Sequence, residues 1–149
     1  MKKHKFKLAA VLKLREAREK KVKTELGNIV KEIQRVKDRI VQIDNEVDVY
    51  YNSQEQSTSK DGITGRMIRF YPQAVQGLKS DRVVTENLLS ALQRKYDRKV
   101  EELKIAMGET KIMTKMKEKD FQEYKKEVGK KELSNLEEIL MMRPRENQS

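Results

Sequence analysis

Between residues 22 and 50 the apolar side chains return at alternating steps of four and three: Val22, Leu26, Ile29, Ile33, Val36, Ile40, Ile43, Val47 and Tyr50. Nine consecutive slots are filled without a slip. A repeat of 3.5 residues is the signature of a helix that supercoils around a partner and keeps one narrow seam buried. With Leu26, Ile33, Ile40 and Val47 at position a, the d positions are Val22, Ile29, Val36, Ile43 and Tyr50. Most remaining positions are charged or amide side chains, so the stripe cannot build a globular core. It needs one facing helix, and the rest of the same chain is long enough to supply it.

Composition agrees with a thin structure. Of the 149 residues, 36% are hydrophobic and 39% charged, and an ordinary globular domain carries roughly 45–50% apolar residues. A paired-helix fold needs fewer, because each helix buries one stripe. The absence of cysteine excludes disulfides and thiolate chemistry. The start MKKHKFKLAAVLKLR is basic like a signal peptide. Its apolar run from Leu8 to Leu12 is too short for one, so no signal peptide is expected, and the lack of cysteine fits a cytoplasmic protein. Net charge is +10 and unevenly spread. Residues 1–24 hold ten Lys or Arg against two Glu, whereas residues 44–61 hold five acids and one Lys. A basic end suggests an acidic partner.

In chain order, the pattern predicts a first helix over about 6–52, a bend over about 53–64, a second helix over about 65–141 and a disordered tail over 143–149. The bend NSQEQSTSKDGITG gathers Ser, Thr, Asp and two Gly, the residues of turns. Pro72 requires either a helix start near Tyr71 or a kink there. The second seam is looser: Met67, Tyr71, Ala74, Leu78, Thr85, Leu88 or Leu89, Leu92, Tyr96, Leu103, Ala106, Thr110 and Met113, then Phe121, Tyr124 and Val128, then Leu133, Leu136 and Leu140, with Arg82, Lys99 and Lys117 near core slots. Folding back at about residue 60–61 sets Ile43 against Leu78, Val36 against Thr85, Ile29 against Leu92 and Leu8 against Met113. It gathers Tyr50, Tyr51, Phe70 and Tyr71 near the bend and leaves about 121–140 overhanging. The expected fold class is all-α: a long, elongated antiparallel two-helix coiled-coil hairpin forming a single domain.

Chemistry is sparse. His4 is the sole histidine and stands in a terminus expected to fray; one imidazole makes neither a triad nor a metal site. No catalytic group, cofactor or metal is expected, and the chain reads as a non-enzyme. No groove-reading module or stacking platform points to specific nucleic-acid recognition. Residues 2–14, with Phe6, Leu8, Val11 and Leu12 among lysines, are similar to an interfacial membrane segment.

Several tracts in order resemble the flagellar export protein family FliJ. The opening carries Phe6, Leu8, Leu12, Leu14 and Arg15 followed by Glu16 and Glu19; the bend tract carries Gly62, Ile63, Thr64, Tyr71 and Leu78. The likeness spans about residues 6–145. Pro72 and Ala74 depart from the family pattern beside the bend. The resemblance implies an antiparallel coiled coil resembling the γ stalk of rotary ATPases. It implies a place at the centre of the hexameric export ATPase, contact with the cytoplasmic domain of the export gate protein, and a part in recycling export chaperones. It also implies a location at the inner face of the membrane. Combined with the aromatic cluster, it puts the gate contact at Met67, Phe70, Tyr71 and Leu78. Combined with the basic end, it puts the ATPase contact at Lys13, Arg15, Arg18, Lys20 and Lys21, with Leu12 and Leu14 holding the helix in place. The same architecture fits the stalk of a virulence type III secretion system, and the heptads alone fit a generic scaffold or a basic nucleic-acid-associated protein.

Overall fold

The computed structural model describes residues 4–58 and 65–142. Among them the chain forms two helices, α1 (Ala9–Thr58) and α2 (Gly65–Met142), and no strand. The tail at 143–149 and the bend residues 59–64 lie outside the described residues.

Helix α1 ends six residues later than the turn chemistry predicts, because nothing in Asn52–Thr58 breaks a helix outright. Polar residues there cost a few tenths of a kcal/mol each, whereas Gly costs about 1 kcal/mol, and the first Gly of the tract is Gly62. At the other end α1 starts at Ala9 rather than about residue 6. A turn precedes it: the Ala9 N–H donates to the Phe6 carbonyl at 3.1 Å, and the Leu12 N–H donates to the Leu8 carbonyl at 2.9 Å. Leu8, set against Met113 by the sequence pattern, is exposed and part of this entry. Pro72 lies inside α2, which begins at Gly65. A helix start near Tyr71 is thus excluded. The ring sits on an exposed position.

The contacts divide the chain into two compact units, Lys21–Leu103 and Met1–Lys20 with Lys104–Ser149. In the first, every one of the nine seam positions of α1 is buried or half-buried, with Val22, Ile29 and Ile43 the deepest. All three are d residues, and Ile43 is 0% exposed. Opposite them α2 buries Val75, Thr85 and Leu92 and half-buries Tyr71, Leu78, Leu89 and Leu103. Ala74 is half-buried as expected but Val75 beside it lies deeper, and Leu89 rather than Leu88 turns inward. The antiparallel sense is visible in pairs across the seam: Glu25 meets Lys99, Asp44 meets Arg82, and Tyr50 meets Tyr71. Thr85 keeps its hydroxyl satisfied without a partner helix, donating to the Asp81 carbonyl one turn back at 2.7 Å.

In the second unit Leu12, Ala106 and Met113 form the buried line. The segment before α1 is ordered against α2. His4 Nε2 lies 2.6 Å from an Asp120 carboxylate oxygen, and the imidazole stacks on Tyr124 with centroids 4.3 Å apart. His4 is therefore not part of a frayed end; an aromatic face and a carboxylate on successive turns of α2 hold it. Because this strap covers α2 as far as Tyr124, the uncovered stretch begins later than the expected residue 121. Every residue from 129 to 142 is exposed.

Candidate interaction surfaces

Three kinds of side chain carry the surfaces. The first are charges lodged in core slots. Lys99 and Arg82 occupy seam positions of α2, as the heptad count predicts, and each is neutralised across the seam. The Lys99 ammonium bridges Glu25 and Glu102, at 2.9 Å from the latter. Arg82 donates from Nε to Asp44 Oδ1 at 2.7 Å and also pairs with Glu86 one turn on. Arg39 adds a bond to Asp81 at 2.7 Å. A charge at a core slot lowers stability but admits only the register in which its partner is present. The hydrogen bond from Lys99 holds the Glu25 carboxyl below its ordinary value of 4.5, and that from Arg82 holds Asp44 below 3.8. The same contacts push Lys99 and Arg82 upward.

The sign of the pH dependence follows. A carboxyl with a lowered folded value contributes stability above its ordinary value and loses it as pH falls through the lowered one. The contribution of these two pairs to thermal stability is therefore expected to be flat from pH 7 to about 5 and to fall as acidification passes below about 4. The double variant Glu25→Gln/Asp44→Asn should show a shallower acid limb in melts followed by circular dichroism. An unchanged limb would remove these two pairs from the account.

The second kind is the basic end. Leu12 is buried, but Leu14 is 69% exposed. Two residues along a helix turn a side chain by about 200°, so Leu14 does not help hold α1 in place; it presents an apolar spot to solvent beside exposed Lys13. Arg15 is not an outward charge. It half-buries in a d slot and donates to Glu109 at 2.7 Å, with Arg18 3.5 Å from the same carboxylate. Sequence reasoning missed Glu109, although an arginine in a d slot is itself a signal that an acid stands opposite. Arg18, Lys20 and Lys21 are exposed.

The third is the aromatic patch. Tyr71 is half-buried and meets Tyr50 edge to face, with centroids 5.9 Å apart and planes at 66°. Leu78 is half-buried in the seam. The side chains of Met67 and Phe70 lie outside the described residues. Lys79 stands over the Tyr51 ring at 5.9 Å.

Among the described residues, no group of three metal-ligating side chains is present, and no helix is long and apolar enough to cross a membrane. A charge-keyed helical hairpin of this kind defines a coiled-coil interaction protein. The family model described as flagellar FliJ protein matches residues 4–149, so the chain belongs to the FliJ family. It is accordingly a component of the flagellar export apparatus, in a family whose members are non-catalytic. Comparison with curated proteins and with solved structures gives no match.

Proposed function

We propose that this chain is the stalk of the flagellar type III export apparatus, linking the hexameric export ATPase to the cytoplasmic domain of the export gate and escorting export chaperones. The observation that carries the reading is the run of exposed side chains on one stretch of α1: Lys13, Leu14, Arg18, Lys20 and Lys21, in a member of this family. Cations around an apolar spot suit capture by a polar or acidic ring pore, where charge speeds encounter and the apolar contact slows release. An asymmetric hairpin in a symmetric ring touches some subunits at a time, so it biases ring assembly or turnover without donating a catalytic group. The gate contact is placed on Tyr71 and Leu78, with Met67 and Phe70 beside them in sequence. A peripheral contact of the basic start with the inner membrane face belongs to the same proposal.

One experiment with two arms tests it. Added to the purified cognate ATPase, the protein should raise ATP hydrolysis, less so at high salt. Lys13→Glu/Lys21→Glu should lose most of that effect while keeping its helicity; Arg15 is left intact because it pairs with Glu109. In the second arm, Tyr71→Ala should weaken binding to the purified gate domain and Tyr71→Phe should not. Absence of stimulation by the wild type, together with undiminished gate binding by Tyr71→Ala, overturns the stalk reading.

A further inference from the structure

The last four turns of α2 carry an apolar stripe that the hairpin's own seam does not use. The buried residues Thr85, Leu92, Ala106 and Met113 lie whole heptads apart. Carried forward, that phase falls on Ser134, and the companion line through Thr110 and Tyr124 falls on Lys131 and Glu138. The apolar residues Leu133, Leu136 and Leu140 stand roughly on the opposite side of the helix. With Ile139 beside them, these residues are 54–61% exposed. A longer α1 would meet Lys131, Ser134 and Glu138, not the leucines. The stripe therefore fits something other than a continuation of the hairpin.

Its charges say what. Lys130 and Lys131 precede the leucines, and Glu137 and Glu138 follow the first two of them. With Leu133 at a and Leu136 at d, Lys130 and Glu137 both fall at e. In an antiparallel pair about a two-fold axis, Leu133 faces Leu136 of the second copy and Lys130 lies beside Glu137 of the second copy, twice over by symmetry. The parallel arrangement instead sets Glu132, at g, beside Glu137 of the second copy, a like-charge contact at both edges. We infer that residues 129–142 are a self-association face, and that two copies of this chain pair antiparallel through Leu133, Leu136 and Leu140. The contact spans few turns, so the dimer is weak, with a dissociation constant on the order of 100 µM.

Sedimentation of the full chain from about 5 to about 500 µM, bracketing that constant, should show a reversible monomer–dimer equilibrium. Leu136→Glu should abolish it with unchanged helicity, since that side chain is more than half exposed on a face that α1 does not cover. Lys130→Glu and Glu137→Lys each turn two attractive contacts repulsive and should each weaken dimerisation about tenfold. An equimolar mixture of those two variants, or the double variant alone, restores both pairs and should recover wild-type association. A monomer at every concentration overturns the proposal. So does association that survives Leu136→Glu, or two charge variants that fail to rescue each other.

Discussion

Replacing Ile43 by aspartate should unfold the Lys21–Leu103 unit, whereas the same replacement at Val41 should be nearly silent. Ile43 is fully buried and Val41 is 57% exposed, two residues apart on one helix. Truncating a buried isoleucine to alanine costs about 2–5 kcal/mol through lost transfer energy and the cavity left behind. Aspartate adds a carboxylate with no partner in an apolar seam, which raises the loss further. A narrow two-helix seam has few other contacts to absorb it. At Val41 the new side chain stays in water, and surface changes stay within about 0.5 kcal/mol. Urea melts followed at 222 nm will separate the two variants by most of the unit's stability. Coincident curves would reject the register in which Ile43 is a d residue.

The second large effect divides two leucines that look alike in the sequence. Leu12→Ala should destabilise its unit by about 2–5 kcal/mol, because that side chain is 6% exposed in the line with Ala106 and Met113. Leu14→Ala should leave the melt unchanged within about 0.5 kcal/mol. In the ATPase assay the order of interpretation reverses. Leu14→Ala, fully folded, should reduce stimulation by removing the apolar spot among the cations. Leu12→Ala should reduce it in proportion to the unfolded fraction and recover on cooling or in a stabilising osmolyte. A folded Leu14→Ala protein with full stimulation would take Leu14 out of the proposed contact, leaving the cations to carry it.

Much of this molecule is legible in the order of its residues. The all-helical hairpin, the nine-slot seam of α1 and the core-slot placement of Arg82 and Lys99 follow from spacing, because a helix relates residues three and four apart by geometry alone. The likeness to the FliJ family likewise rests on residue identities in the opening and bend tracts. Spacing and a fold point near residue 60–61 name facing slots, but not the rotation of each helix about its own axis. Whether Val75 lies deeper than Ala74, and whether Leu88 or Leu89 turns inward, depends on a rotation of the helix by a fraction of a turn, set by packing along the whole contact. Spacing puts Arg15 in a d slot, but the acid that neutralises it there, Glu109, stands ninety-four residues away. His4 reads as a frayed end until Asp120 and Tyr124 hold it. Cross-helix partners are non-local, and only the tertiary register selects them. That register also separates Leu12 from Leu14, and the leucines at 133, 136 and 140 from the seam that α1 covers.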